Sequence, residues 1–307
     1  MIPAPPLVIL GPTASGKSDV AMVLARRHPE VEVVAVDAMQ VYRRMDIGTA
    51  KPSLDDRTAV QHHCVNLVDA SDEFTVSDFA EAADEALEEI NARHSRAVLV
   101  AGTGLYLRSV TDPMEVPGRW PDVRAQLEDR ADVEGVEGLH AQLASLDPIA
   151  ASKMEPTNTR RVVRALEVTL GSGRPFSSFG PGVDVYPPTR FQQFGLRWPR
   201  PLLTKRITER VHRMIDDGLI TEVQSLAEGP ISRTARQALG YRELFDFLDG
   251  ACTLDVAIDT IITRTRQFAV RQERWFRRDP RIRWIDIDDD PVATALPVLE
   301  SAWQTSN

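Results

Sequence analysis

Gly11-Pro12-Thr13-Ala14-Ser15-Gly16-Lys17-Ser18 follows the pattern G-x-x-x-x-G-K-[ST] of a phosphate-binding loop. The apolar run Leu7-Val8-Ile9-Leu10 in front of it reads as a buried strand. Behind it, Val20, Val23 and Leu24 recur at helical spacing until Pro29. A chance glycine-rich turn would not come with both flanks, so the stretch predicts a strand, an anion-binding loop and a helix. Gly11 and Gly16 let the backbone curl until successive N–H groups point at one anion. The helix opening near Lys17 adds the positive end of its dipole. Lys17 contributes a mobile charge, and the Ser18 hydroxyl is placed to ligate a magnesium ion on the phosphates. The motif names a polyphosphate or diphosphate ligand and leaves open what is transferred.

The 307 residues suffice for one large domain, or a core with a smaller insert. Hydrophobic residues make up 43% and charged residues 26%, as in ordinary globular chains. No apolar run approaches the roughly 20 residues of a membrane span. The start Met1-Ile2-Pro3-Ala4-Pro5-Pro6 lacks the basic region of a signal peptide. Two distant cysteines, Cys64 and Cys252, suggest no metal cluster. A reducing cytoplasm and a monomer are the expectation. The net charge of −9 argues against a general nucleic-acid coat protein. Its distribution says more: Arg264, Arg266, Arg271, Arg274, Arg277, Arg278, Arg281 and Arg283 face only Glu273 and Asp279 in the same stretch. A basic face on an acidic chain suits selective binding of a polyanion, although a solvated helix face laced with salt bridges has the same composition.

A second strand, Val31 to Val36, delivers Asp37 to the carboxyl edge, where open parallel sheets bind ligands. A helix cap is the plainer reading of Asp37. Residues 38–52 have no period and read as an ordered functional loop. His62 and His63 are adjacent, so on a strand they point to opposite faces and read as structural. Thr75-Val76-Ser77-Asp78 is a capping box that opens a helix running to about His94. Ala97 to Ala101 is a third buried strand, ending in Gly102-Thr103-Gly104-Leu105-Tyr106. Two strand–helix–strand units predict a right-handed parallel core. From Pro121 to about Gly173 the pattern is wholly helical, and its last helix carries Arg160, Arg161 and Arg164. Residues 175–188 form a loop. After a return strand at 191–198, one apolar stripe runs from Leu203 to Leu226, with Lys205, Arg206, Arg210 and Arg213 off it. Helices over about 234–248 and 254–278 and a strand at 283–287 complete the chain. The expected fold is α/β: a P-loop NTPase-like parallel sheet core flanked by helices, with a small all-helical insertion domain. The core takes residues 1–113 and 186–307, and the insertion 114–185.

The chain resembles the tRNA dimethylallyltransferases, also called tRNA isopentenyltransferases, over essentially its whole length. The blocks that carry the likeness are Gly11 to Ser18, Asp37-Ala38-Met39-Gln40-Val41-Tyr42, Met45 to Pro52, Gly102 to Tyr106, Arg161 to Glu167, Gly240-Tyr241, and Arg271-Gln272 followed by Trp275-Phe276. Ser18 stands where the family usually has Thr, Ala101 where Gly is common, and Val270 where a Lys is frequent. The last change removes one candidate phosphate contact. The resemblance implies transfer of a dimethylallyl group from dimethylallyl diphosphate to the exocyclic N6 amine of the adenosine 3′ of the tRNA anticodon. Gly11, Pro12, Thr13, Ala14, Ser15, Gly16, Lys17 and Ser18 would then hold the diphosphate, with magnesium on Ser18 and with Arg206 reaching it from the far side. Asp37 would accept the amine proton, and Lys17 and Thr103 would complete the catalytic group. The tRNA anticodon stem-loop would lie against Asp37, Ala38, Met39, Gln40, Thr103, Arg124, Arg160, Arg161, Arg164, Arg271, Arg274 and Arg278.

Three other readings compete. A small-molecule kinase would use the same loop, with Asp37 as base towards a hydroxyl, and leaves the basic helices unexplained. A prenyltransferase for free adenine nucleotides would need no extended RNA surface. A purely RNA-binding module would have no use for an intact Lys17-Ser18 pair.

Overall fold

A computed structural model describes residues 5–180 and 182–304. The chain divides into two compact units, Met1–Thr111 with Tyr186–Asn307, and Asp112–Val185. The sequence sets the first border at Pro113, two residues later.

The larger unit opens with β1 (Leu7–Leu10), α1 (Lys17–Arg27), β2 (Val31–Val36), α2 (Leu54–Ala59), β3 (His62–His63), α3 (Val76–Ala92), β4 (Arg96–Ala101) and α4 (Gly104–Thr111). The smaller unit follows, with α5 (Pro121–Glu134), α6 (Val136–Leu146), α7 (Pro148–Ser152) and α8 (Thr159–Ser172). The chain then returns through β5 (Gln192–Arg197), α9 (Arg200–Asp216), α10 (Leu219–Ala227), α11 (Arg233–Arg236), α12 (Tyr241–Leu248), α13 (Leu254–Phe276), β6 (Arg283–Asp286) and α14 (Pro291–Gln304).

The six strands form one sheet in the order β3-β2-β4-β1-β5-β6, parallel at every pairing. Such a sheet is covered on both faces, so its strands are near-continuous apolar runs. In β1 all four residues are fully buried. Val8 and Leu10 join the core with Phe79, Leu244 and Ile261, and Leu7 and Ile9 join the opposite core with Leu24, Ile207 and Leu299. The register decides where the site lies. Leu10 and Val36 both pair with Ala101, so β1, β2 and β4 end level. The residues that follow, Gly11, Asp37 and Gly102, therefore stand side by side at one edge.

Two stretches differ from the sequence expectation. The stripe from Leu203 to Leu226 is two helices, because Gly218 takes a left-handed φ of 101° between α9 and α10. Gly240, at φ 94°, similarly separates α11 from α12. Helices α2 and α4 are short and lie outside the sequence expectation, as does α14, although Ala295, Leu296, Leu299, Ala302 and Trp303 give it an apolar stripe.

In the smaller unit, Leu127, Leu139, Leu143, Val162, Val163 and Leu166 form a separate core. Glu167 is buried beneath it. Its carboxylate accepts Trp120 N–H at 3.0 Å and pairs with Arg164 at 2.9 Å and Arg124 at 3.3 Å.

Candidate active site

The phosphate-binding loop is braced from several sides. Gly16 adopts φ 85° at the head of α1, a left-handed turn that glycine makes without strain. Trp198 Nε1 donates to the Ser15 carbonyl at 3.0 Å, and Arg206 Nε donates to the Ala14 carbonyl at 2.9 Å while its guanidinium lies 4.5 Å over the Trp198 ring. From α13, Gln272 Oε1 accepts Thr13 N–H at 2.9 Å.

Lys17, Asp37 and Gln272 converge above Gly102. A methyl group placed on Gly102 would stand 3.4 Å from Gln272 Nε2, 3.5 Å from Lys17 Cε and 3.7 Å from Asp37 Oδ2. Lys17 is half-buried, and its ammonium donates to the Pro12 carbonyl at 3.2 Å. Burial, followed by the charge of Arg210, pushes its pKa down to about 8, against the opposing pull of Asp37 and Asp19. Arg210 is itself depressed by burial, and Asp37 and Asp19 offset that. Burial thus depresses both Lys17 and Arg210, and the charge of Arg210 bears on Lys17. Such a pair of desolvated cations is an incomplete charge set that an anion completes.

Asp37 uses its two oxygens differently. Oδ1 accepts the N–H of Met39 at 2.8 Å and of Gln40 at 3.3 Å; it closes a turn and not a helix end, since the next helix begins only at Leu54. Oδ2 faces the Gly102 floor and Lys17. The carboxylate is therefore fixed in rotation by one oxygen and presents the other to the site.

The remaining sequence candidates fall out as follows. Ser18 is exposed at the start of α1. Ser15 Oγ is fully buried with no hydrogen-bond partner among the described residues, an orphan of the kind a ligand satisfies. Among the described residues no cluster of three His, Cys, Asp or Glu could hold a metal alone. A magnesium ion would thus rely on the Ser18 hydroxyl and on phosphate oxygens, which matches its habit of keeping waters and phosphates as ligands. Thr103 stands between the Gly102 floor and Gly104, and its carbonyl accepts Leu107 N–H at 2.9 Å, which ties it to the first turn of α4. Gln40 turns its amide back into its own loop, donating to the Thr49 and Ala50 carbonyls at 3.1 and 3.3 Å. Met39 packs against the core, and Ala38, half-buried, joins it to Asp37.

Loop 38–52 is pinned from α10. Glu222 accepts the N–H groups of Asp46, Ile47 and Gly48 at 2.9, 2.8 and 3.1 Å and the Tyr241 hydroxyl at 2.5 Å. Burial and the Glu222 charge push the Tyr241 phenol upward. The buried Lys51 ammonium donates to Tyr42 O and Asn66 Oδ1 at 2.6 and 2.7 Å and pairs with Asp46 at 2.6 Å. His63 meets Glu32 at 2.7 Å and His62 meets Val60 O at 2.7 Å, both in structural contacts away from the site edge.

The basic residues sort by their partners. Arg271 and Arg274 on α13, and Arg278 two residues past its end, are exposed, and the first two have no acidic partner among the described residues. Arg277 pairs with Glu273 at 2.7 Å, Arg281 pairs with Asp279, and Arg264 pairs with Glu243. In the smaller unit Arg160 and Arg161 are exposed. Arg164 and Arg124 are drawn to Glu167 instead, and Arg124 also pairs with Glu128 at 2.8 Å. Arg206 lies against the loop itself: its Nε holds the Ala14 carbonyl, and its Nη2 would stand 3.7 Å from a methyl on Gly16. Arg210, one turn further along α9, supplies the charge that Lys17 feels. Sequence reasoning marked Arg210 only as lying off an apolar stripe, and it gave Gln272 and Glu222 no role. Arg210 and Glu222 belong to no motif, and Gln272 stands in one of the blocks that carry the resemblance without a role attached to it.

An IPP transferase family model matches residues 40–279. The chain belongs to the IPP transferase family. It is 45% identical over 284 residues to a protein of Geobacter metallireducens named tRNA dimethylallyltransferase, covering 91% of this chain and 92% of the relative. A protein of the same name in Kineococcus radiotolerans is 46% identical over 97% of this chain and 96% of its own. Among solved structures, the tRNA isopentenylpyrophosphate transferase of Bacillus halodurans aligns with a TM-score of 0.71 at 36% identity, covering 99% of this chain and 96% of that one. A eukaryotic dimethylallyltransferase described as acting on tRNA aligns with a TM-score of 0.80 at 26% identity, over 98% of this chain and 79% of that one. The sheet and loop are those of the P-loop NTPase-like fold that IPP transferases share.

Proposed function

We propose that this IPP transferase moves a dimethylallyl group from dimethylallyl diphosphate to the exocyclic N6 amine of the adenosine 3′ of a tRNA anticodon. The observation that carries the reading is the meeting of Lys17 and Asp37 Oδ2 over Gly102 at one level edge, with the charge of Arg210 bearing on Lys17: a cationic seat for a leaving diphosphate beside a carboxylate fixed by its other oxygen. In the transfer, the bond from C1 of the donor to its bridging oxygen breaks and the electron pair leaves with the diphosphate. The amine nitrogen bonds C1 and its proton passes to Asp37 Oδ2. Lys17, Arg210 and the loop N–H groups hold the negative charge that develops on the leaving oxygens. Magnesium, when bound by Ser18 and the diphosphate, would add Lewis-acid stabilisation to that charge. The acceptor base must leave its stack to reach this edge. Arg271 and Arg274 on α13, Arg278 just past its end, and Arg160 and Arg161 in the insertion, supply cations for RNA phosphates. No described helix is long and apolar enough to cross a membrane. A kinase and a prenyltransferase for free nucleotides find no favour among relatives named for tRNA.

The test is incubation with labelled dimethylallyl diphosphate and bulk tRNA, AMP, or ATP with a metabolite mixture. Label is expected in tRNA alone. Label in AMP, or phosphate transfer from ATP, would sink the reading. Robust ATP hydrolysis that disappears in Lys17→Ala would equally contradict a diphosphate site.

A further inference from the structure

Gln272 is 8% exposed, and both ends of its amide are engaged. Oε1 accepts Thr13 N–H at 2.9 Å, and Nε2 donates to the Gly102 carbonyl at 2.7 Å. One side chain of α13 therefore joins the phosphate-binding loop to the end of β4, across the floor on which Lys17 and Asp37 meet. One turn later Trp275 closes over the same edge: a methyl on Gly104 would stand 2.0 Å from its indole Cδ1. Away from that edge, α13 carries the exposed Arg271 and Arg274, and Arg278 follows just past its end.

We propose that Gln272 is a positioning residue that couples RNA docking on α13 to the shape of the phosphate-binding loop, so that RNA and donor bind with positive cooperativity. This rests on tRNA being the acceptor. Buried amide groups must keep their partners, because no water replaces them. Any shift of α13 against the sheet thus moves Thr13 relative to Gly102 or breaks one of two buried bonds. Loop geometry and helix position become one variable. RNA that settles on the arginines fixes the helix and, through Gln272, the curl that aims the loop N–H groups. By linkage the effect is reciprocal, and a bound diphosphate tightens RNA to the same degree.

The test titrates inorganic pyrophosphate with magnesium into the full-length protein, with and without an anticodon stem-loop RNA. In the wild type the RNA should tighten pyrophosphate by about fivefold or more, within the range of ordinary coupling. In Gln272→Ala the RNA should bind within about twofold of wild type, as expected for a residue that does not touch it, while the tightening disappears. Gln272→Glu keeps the volume and the acceptor for Thr13 but sets a carboxylate oxygen against the Gly102 carbonyl. It should also lose the coupling, and it serves if the alanine variant does not fold. Thermal midpoints report simple destabilisation separately. Coupling that survives in both variants, a wild type without coupling, or an equal weakening of pyrophosphate with and without RNA would each overturn the proposal. A wild type that does not bind the stem-loop at all would overturn the tRNA reading itself, and the RNA titration alone reveals that case.

Discussion

Two side chains at the carboxyl edge lend themselves to direct tests. Asp37 holds the turn with Oδ1 and faces the site with Oδ2, so Asn in its place keeps size and the turn's acceptor while removing the proton acceptor. Asp37→Asn should bind tRNA within a few-fold of wild type and lose about two to four orders of magnitude in single-turnover transfer, the usual weight of a general base. Near-normal turnover would reduce Asp37 to closing that turn, and partial rescue by added magnesium would recast it as a metal ligand. Lys17 gives a pH signature. Its pKa in the free protein is held down to about 8 by burial and by Arg210. A diphosphate brings negative charge to the ammonium and raises that pKa. Donor affinity is therefore full below the free value and declines as pH rises through about 8 towards the higher pKa of the complex, by at most about tenfold per pH unit for one proton. Calorimetry in buffers of different ionisation enthalpy should show uptake of up to one proton on binding in that window. Lys17→Arg stays charged throughout and should show no such uptake. An equal proton count in the two proteins would assign the effect to the diphosphate itself.

At the scale of elements, loop 38–52 shows what a sequence conveys and what it leaves out. Its lack of period marked it as ordered and functional, and the resemblance marked Met45 to Pro52. Neither indicated what holds it, because the holder is Glu222, some 175 positions away and on the exposed-looking side of a helix stripe. The same division runs through the site. The loop from Gly11 to Ser18 and the level ends of β1, β2 and β4 follow from local runs whose meaning is fixed by neighbours in sequence. Arg210 and Gln272 acquire roles only from the way α9 and α13 lie on the sheet. The break at Gly218 was hidden because the apolar stripe continues in phase across it. The Glu222 clamp makes a sharp prediction. A methyl on Gly48 would stand 2.5 Å from Tyr241 Cε2 and 2.8 Å from its hydroxyl, and Tyr241 is fully buried and bonded to Glu222. Gly48→Ala should cost about 1–3 kcal/mol, the usual toll of overpacking, read as a lower urea midpoint at unchanged m-value. An unmoved midpoint would mean that the loop yields without cost and that Glu222 does not fix it.

Across the whole molecule, a net charge of −9 must coexist with binding to a polyanion. Many cations are neutralised at home: Arg264 by Glu243, Arg277 by Glu273, Arg281 by Asp279, and Arg124 and Arg164 by the buried Glu167. The exposed cations proposed for RNA phosphates are Arg271 and Arg274 on α13 and Arg278 just past it in one unit, and Arg160 and Arg161 in the other. Each phosphate contact releases about 0.7 to 0.9 of a counterion, so the count can be read from salt dependence. Removing Arg271, Arg274 and Arg278 together should lower the magnitude of the slope of log affinity against log salt by about two to three. The Arg160→Ala and Arg161→Ala pair should lower it by about one to two. Arg164→Ala should behave differently from its neighbours, because it strips one partner from a buried carboxylate and from the Pro117 carbonyl. Its first effect should be a lower melting temperature, with the salt slope little changed. If the slope instead falls by a full contact while stability holds, Arg164 leaves Glu167 to meet RNA, and the pairing seen here describes only the RNA-free protein. An unchanged slope in the variant lacking Arg271, Arg274 and Arg278 would remove α13 from the RNA surface, and the cooperativity argued for Gln272 would lose its means of transmission.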